Sequence, residues 1–310
     1  IRQSKMKILL ATDGSPCAHA AVESMERFPF PRDGKASVLT VINRDDFKGK
    51  EEKQLSKEQR KVLRKTREMV QKESDKLLAV KADRLKKAGW VVTTEVRDGH
   101  PAEEIVNAAQ ELDVDLIVMG CHGLSAIDRL FLGSISDAVL QRAHCSVLIV
   151  KMMDTQTQAG TDAGGDSEHP LHVLLSHDGS DAATKAVSFC ASLPFDKADQ
   201  VTVLRVLPLI GLYHQDIQQR LSGIWQQKKK NAKKELKRAT SEPNWTTPLV
   251  SAKVRESSEV SQAILNAISE LDADLLVLGY KGKGEMEKIL AGSITAGIVH
   301  HAPCSILAVR

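Results

Sequence analysis

The chain contains two copies of one pattern, and this repetition limits what it can fold into more than any local motif does. Lys7-Ile-Leu-Leu-Ala-Thr-Asp13-Gly-Ser15 recurs as His172-Val-Leu-Leu-Ser-His-Asp178-Gly-Ser180, 165 positions further on. Ser37-Val-Leu-Thr-Val41 recurs as Thr202-Val-Leu-Arg-Val206 at the same offset. Leu112-Asp-Val-Asp-Leu-Ile-Val-Met-Gly120 returns as Leu271-Asp-Ala-Asp-Leu-Leu-Val-Leu-Gly279, now 159 positions on, so the second copy is six residues shorter in between. Both copies end alike, Ala143-His-Cys-Ser-Val-Leu-Ile-Val150 matching Ala302-Pro-Cys-Ser-Ile-Leu-Ala-Val309. At roughly 150 residues per domain, a length of 310 residues agrees with two domains. Residues 154–169, rich in Thr, Gln, Ala, Gly, Asp and Ser with no periodic apolar positions, have the composition of a flexible linker. The expected organisation is a domain at 6–151, a linker at 152–169 and a second domain at 170–310, with residues 1–5 outside the fold.

Each copy alternates short β-branched runs with amphipathic stretches, the pattern of a parallel sheet covered by helices on both faces. In the first copy, strands are expected near Met6–Thr12, Ala36–Ile42, Val91–Val96, Leu116–Gly120 and Val147–Val150, read as continuous apolar runs buried on both sides. Helices are expected near Cys17–Phe28, Lys57–Ala88, Pro101–Leu112 and Ser134–Ala143. Strands near Leu171–Ser176, Val201–Val206, Val250–Val254, Leu275–Gly279 and Ser305–Val309 take the same places in the second copy.

Composition excludes several function classes. Forty-three Lys and Arg against forty Asp and Glu leave a formal net charge of +3, too balanced for a nucleic-acid binder, and 4% aromatics leave little to stack on bases. The Lys/Arg-rich segments Lys57 to Lys87 and Lys228 to Arg238 carry interleaved acids, so they read as solvated helix faces rather than basic binding surfaces. Five widely spaced cysteines, with no C-x-x-C pair, suggest neither a disulfide framework nor a zinc knuckle, and fit a reducing compartment. No apolar run approaches the roughly 20 residues of a membrane-spanning helix. The N-terminus lacks the layout of a signal peptide. The expectation is a cytoplasmic protein with no membrane and no nucleic-acid partner.

Chemistry is expected at the carboxyl ends of the strands. Gly120-Cys-His-Gly123 is followed, after nine intervening residues, by Gly133-Ser134, and Gly279-Tyr-Lys-Gly282 is followed at the same spacing by Gly292-Ser293. Glycines let a loop turn tightly and bring bare backbone to a ligand. A helix opening at Gly-Ser presents N–H groups and a positive dipole end to an anion. In an open α/β sheet, ligands bind outside the strand ends at the topological switch point, where Asp13-Gly14-Ser15 and Asp178-Gly179-Ser180 also fall. Asp13 and Asp178 read either as ligand contacts or as turn formers. Two other nucleotide signatures are absent. Gly279 to Gly284 runs on into Glu285, so it is not a P-loop. No G-x-G-x-x-G follows either first strand, so NAD and FAD are not expected.

Taken together, the D-G-S after strand one, the D-L-I-V-M-G strand, the G-x-x-G-x9-G-S loop and the closing A-x-C-S-V-L-I-V strand resemble the universal stress protein family, here as a tandem pair of its glycine-loop branch. The resemblance covers nearly all of both copies except the linker. It implies, for each domain, a five-stranded parallel sheet of order 3-2-1-4-5, an adenine-nucleotide alpha hydrolase-like fold, and it implies ATP with Mg²⁺ as ligand. By the same resemblance, Asp13 and Val41 hold the adenosine, with Ala11 and Thr12 lining its pocket. Met119, Gly120 and Gly123 pass along the ribose and first phosphates, and Gly133, Ser134, Ile135 and Ser136 hold the distal phosphates. The second set is Ser176, His177, Asp178, Val206, Leu278, Gly279, Gly282, Gly292, Ser293, Ile294 and Thr295. The last strands, Ser146–Val150 and Ser305–Val309, are implied to pair between domains as an internal pseudo-dimer, from which a homodimer can form. The second copy departs from the pattern: Ser258-Glu-Val260 stands where the first has Gly99-His-Pro101, and His177 replaces a small polar residue.

Other candidates are weaker. His122 titrates near neutral pH, but its counterpart is Lys281, so a phosphate-facing or solvated side chain is expected rather than a catalyst. Arg129 and Lys288 recur in equivalent places, as phosphate donors or solvated residues. Cys145 and Cys304 read as buried small hydrophobes, and His300-His301 is rejected as a metal site. No catalytic residue and no metal ligand is assigned. The function expected is an ATP-binding stress-response regulator, with a slow ATPase or a nucleotide-independent dimerising scaffold as alternatives.

Overall fold

The computed structural model describes residues 5–43, 56–122, 132–152, 169–209, 215–280 and 297–310. The chain divides into two compact units, residues 1–150 and 151–310. In chain order the first contains β1 (Lys7–Ala11), α1 (Pro16–Arg27), β2 (Lys35–Asn43), α2 (Lys57–Lys87), β3 (Val91–Gly99), α3 (Pro101–Glu111), β4 (Leu116–Gly120), α4 (Ser134–Arg142) and β5 (Ser146–Val150). Its strands are all parallel, in the order β3-β2-β1-β4-β5.

From β1 the chain steps outward to β2 and β3, then returns across β1 to β4 and β5. With right-handed crossovers, that reversal puts α1 and α2 on one face and α3 and α4 on the other. The helix pairs that touch agree with this division. The reversal also creates a switch point between β1 and β4.

The second unit repeats the plan with β6 (His172–Ser176), α5 (Asp181–Ala191), β7 (Gln200–Pro208), α6 (Gln215–Thr240), β8 (Leu249–Ser257), α7 (Val260–Leu271), β9 (Leu275–Gly279) and β10 (Ser305–Val309). Its order is β8-β7-β6-β9-β10, again all parallel. Residues 297–301 are helical ahead of β10.

The local reasons are legible residue by residue. Gly14 and Gly179 have φ of +80° and +84°, a left-handed turn that glycine adopts without cost. The following Ser15 and Ser180 cap α1 and α5, their hydroxyls accepting from the N–H groups of Ala18 and Ala183 at 3.2 and 3.1 Å. Pro16 and Pro101 open α1 and α3, where the missing N–H costs nothing. The repeated Leu-Asp-x-Asp is structural. Its first Asp, Asp113 or Asp272, takes the left-handed conformation that ends α3 or α7. Its second, Asp115 or Asp274, accepts from the N–H of Lys7 or His172 at 2.8 and 2.9 Å and so pins the start of the central strand.

Continuous apolar runs describe β1 and β4, whose Ile8, Leu9, Leu10, Leu116, Ile117 and Val118 are 0% exposed. Each such side chain contributes about 1.5–3 kcal/mol by leaving water. The expectation of buried strands fails for β3 and β8. Both are nine-residue edge strands with mostly exposed or half-buried side chains. They are read more easily by their Thr/Ser ladder, for example Ser37 to Thr93 at 3.0 Å. Helix α2 buries only Leu78, Lys81, Ala82 and Leu85, near its carboxyl end, so its basic amino-terminal part is solvated, as charge interleaving implies.

Candidate functional site

In the first unit the switch point brings together residues distant in sequence. Ala11 pairs with Met119 on one side and with Leu39 on the other, so the ends of β1, β2 and β4 lie side by side. Val41 lies two residues beyond Leu39, on the part of β2 that outruns β1, and is half-buried. Thr12 is buried, its N–H donating to Leu39 O at 2.9 Å. Asp13 is exposed, and one carboxylate oxygen accepts from Ser15 N–H at 2.9 Å. The turn-forming role of Asp13 is therefore present, and it holds the carboxylate at the rim of the strand ends.

The backbone after β4 is fixed from both faces. Gly133 N–H donates to Cys121 O at 2.8 Å, which places the start of α4 directly against the end of β4. Gly133 is the N-cap of α4 and supplies no capping side chain. The first N–H groups of a helix lack intrahelical partners, so Ser134, Ile135 and Ser136 present donors at the positive end of the helix dipole. Ser134 and Ile135 are exposed. Ser136 is buried, and its hydroxyl donates to Gly120 O at 2.9 Å. That hydroxyl is committed to the fold, which leaves Ser136 only its main-chain donor for an anion.

Gly120 and Gly279 have a packing role that sequence reasoning missed. A Cβ on Gly120 would sit 2.6 Å from the carbonyl carbon of Cys17, and one on Gly279 would sit 2.3 Å from that of Ala182. Only glycine lets the first turn of α1 or α5 lie on the end of β4 or β9. His122 also differs from expectation: it is 9% exposed, beneath the cap of α1, with Ser15 Oγ donating to its carbonyl at 3.3 Å, rather than solvated.

The second unit brings Ser176, His177 and Asp178 beside Leu278 and Gly279, Ser176 pairing with Leu278. Val206 lies two residues beyond Leu204, the β7 partner of Ser176. Here the crevice is not a copy of the first. Arg205, where the first unit has Thr40, donates from Nη1 to His177 O at 3.3 Å and lies 4.0 Å from Glu235 of α6. A Cβ on Gly179 would meet that guanidinium at 2.7 Å, whereas one on Gly14 would meet Leu77 at 3.4 Å. The Arg205 guanidinium thus stands against the first-strand turn of the second unit, where the first unit has the aliphatic side chain of Leu77.

Burial, and then the Arg205 charge, hold the His177 imidazole below its usual range. Burial pushes the Asp178 carboxyl up, but hydrogen bonds from Ser180 and the charges of Arg205 and His177 outweigh it and hold the group below the usual carboxylate value. Sequence reasoning missed Arg205 and Glu235. The signal was a lone Arg in Val-Thr-Val-Leu-Arg-Val. Gly123, Gly282, Gly292, Ser293, Ile294 and Thr295 lie outside the described residues, as do Arg129 and Lys288. An open concavity at the β8–α7 junction, lined by Arg255, Glu256, Ser258, Glu259, Gln262 and Asn266, shares none of these residues.

An open parallel sheet, built twice with the same switch-point turn and the same glycine at the β4 or β9 end, defines a tandem doubly wound α/β protein. The sequence model of the Universal stress protein family matches residues 6–151 and 171–310, and the chain belongs to that family. A universal stress protein of Methanocaldococcus jannaschii is 32% identical over 145 residues, covering 47% of this chain and 81% of the relative. One from Mycolicibacterium smegmatis is 28% identical over 223 residues, covering 72% of this chain and 70% of the relative. The crystal structure of a universal stress protein from Archaeoglobus fulgidus matches the fold with a TM-score of 0.62 at 19% identity, over 99% of this chain and 97% of that one. Among the described residues, no helix is long and apolar enough to cross a membrane.

Proposed function

We propose that this chain is an ATP-binding stress-response regulator and that its first crevice takes the nucleotide, with Mg²⁺ accompanying the phosphates. One observation carries the reading: at the switch point of the first unit, the exposed Asp13 and the side-chain-uncapped start of α4 converge on the ends of β1 and β4. The residues fit such a ligand chemically, since an uncapped helix start is an anion site and a carboxylate can accept from ribose hydroxyls or the adenine amino group.

In this reading Asp13 and Val41 hold the adenosine beside Ala11 and Thr12. Met119 and Gly120, with Gly123, flank the ribose and first phosphates. The N–H groups of Ser134, Ile135 and Ser136, following Gly133, take the distal phosphates. For the second domain we infer that Arg205 closes the adenosine end over Ser176, His177, Asp178 and Val206, so that one nucleotide binds per chain.

The rest of the proposal is organisational. Domains 6–151 and 170–310 are joined by a linker at 152–169 and pair through their last strands as an internal pseudo-dimer able to form a homodimer. A cytoplasmic setting accords with five cysteines that form no disulfide. The test is equilibrium dialysis of nucleotide-free protein against ATP. Retention of ATP, with stabilisation of about 2.7 kcal/mol at a hundredfold excess over Kd, is expected. Absence of retention would overturn the reading.

A further inference from the structure

Three metal-capable side chains meet at the seam between the first turn of α1 and the end of β4. Cys17 Sγ lies 3.6 Å from Cys121 Sγ, and His122 Nδ1 lies 3.1 Å from Cys121 Sγ. Ligand atoms of all three residues lie within 4.8 Å of one another. We propose that Cys17, Cys121 and His122 form a binding site for a thiophilic divalent cation of the zinc type, held by two thiolates and one imidazole with water in a fourth position.

The spacing suits this chemistry. A tetrahedral ion with metal–sulfur bonds of about 2.3 Å sets two thiolates about 3.8 Å apart, close to the separation present before any ion binds. Soft sulfur donors with one imidazole select zinc-like ions over magnesium or calcium, which prefer oxygen. Binding exchanges the two thiol protons for one Zn²⁺ and releases both protons to solvent, so uptake strengthens as pH rises. The positive end of α1 faces the two negative sulfurs so formed.

The site is built rather than fortuitous. Gly120 has no Cβ, and this is what lets the turn bearing Cys17 settle on the strand end next to Cys121. The carbonyl of Cys121 is held by Gly133 N–H at 2.8 Å and Ser136 Oγ at 3.2 Å, and that of His122 by Ser15 Oγ at 3.3 Å. These bonds fix the two adjacent ligands from α4 and α1 at once. Cys121 is 1% exposed, while Cys17 is half-buried and provides the route of entry.

The second unit is an internal control. Its equivalent packing places Ala182 where Cys17 stands, and Tyr280 and Lys281 replace Cys121 and His122. The other cysteines lack a comparable grouping among the described residues. Burial pushes the Cys304 thiol up to about 12 and the Cys190 thiol higher still, so neither is a ready metal ligand.

The experiment uses the full chain, reduced and freed of nucleotide, titrated with Zn²⁺ in competition with a chromophoric chelator, and with Co²⁺ as a spectroscopic probe. One Zn²⁺ per chain is expected, along with a thiolate-to-cobalt charge-transfer band. Cys17→Ser and His122→Asn should each weaken binding by about a hundredfold or more, and Cys190→Ala should leave it unchanged. Zn²⁺ should also protect Cys17 of the unaltered protein from alkylation, a readout that does not depend on any variant folding. Substoichiometric zinc, equal affinity in Cys17→Ser, or unprotected Cys17 would each overturn the proposal.

Discussion

Substituting Gly120 by alanine tests the packing at the end of β4. The new Cβ would sit 2.6 Å from the Cys17 carbonyl carbon, 2.8 Å from its oxygen and 2.8 Å from its Cβ. Carbon–carbon contacts settle at about 3.5–4.0 Å, so α1 must retreat by roughly 1 Å. The obstacle is mainly backbone, and rotamer changes cannot relieve it. The retreat loosens Ala18, Ala21, Val22 and Met25, all at most 3% exposed. Overpacking costs typically 1–3 kcal/mol, and a backbone clash belongs at the upper end, about 3 kcal/mol. For a unit of this size that lowers Tm by roughly 6–12 °C.

The assay is thermal unfolding of nucleotide-free protein by circular dichroism and calorimetry. Gly223→Ala serves as the control: it lies within α6, a Cβ there would meet nothing within 4 Å, and it should stabilise by up to about 1 kcal/mol. If Gly120→Ala melts with the parent and loses only ATP binding, the packing argument is wrong and the glycine serves ligand approach alone.

Three further outcomes follow from the geometry. Arg205→Thr, which installs the residue of the first unit, should raise bound ATP from one to two per chain in a dialysis measurement; an unchanged ratio places the obstacle elsewhere. His177→Thr should flatten the stability–pH curve just below neutrality. A folded imidazole pKa held below its unfolded value of 6.5 means the unfolded chain binds more protons in that window. The stability is therefore full above about 6.5 and lost as pH falls, and urea titrations at several pH values would show the loss vanish in the variant. Arg97 bonds Glu95 at 2.7 Å and Glu111 at 2.6 Å, with its side chain 14% exposed, and Arg97→Ala should cost about 1 kcal/mol, since the two carboxylates, 43% and 63% exposed, rehydrate once the guanidinium is gone. An effect on urea stability smaller than about 0.5 kcal/mol would mean solvent screens the network.

The duplication was the most legible part of the fold, because both copies had to keep the residues that turn, cap and anchor. Asp13-Gly14-Ser15, Leu-Asp-x-Asp and the closing strands each have a local geometric reason, and each reason operates twice. Strands β3 and β8 were read shorter than they are, since edge strands alternate with solvent and dilute the apolar signal. That the ends of β1, β2 and β4 lie side by side was legible, whereas the packing work their residues do was not. Ser136 spends its hydroxyl on the β4 end, and Gly120 is glycine for the sake of α1. The meeting of Cys17 with Cys121 and His122 was hidden because Cys17 stands 104 residues before Cys121, with no motif spacing. Arg205 escaped notice because one strand charge reads as an exposed residue until α6 supplies Glu235 beside it.

The proposed binding of one ATP per chain at the β1–β4 junction of the first domain can be measured directly. Isothermal titration of the nucleotide-free chain with ATP and Mg²⁺, beside an Asp13→Ala variant whose fold is checked by its melting curve, addresses it directly. A stoichiometry of one and loss of most of the heat in Asp13→Ala are expected. Zero heat in the parent, or full binding in the variant, would contradict it.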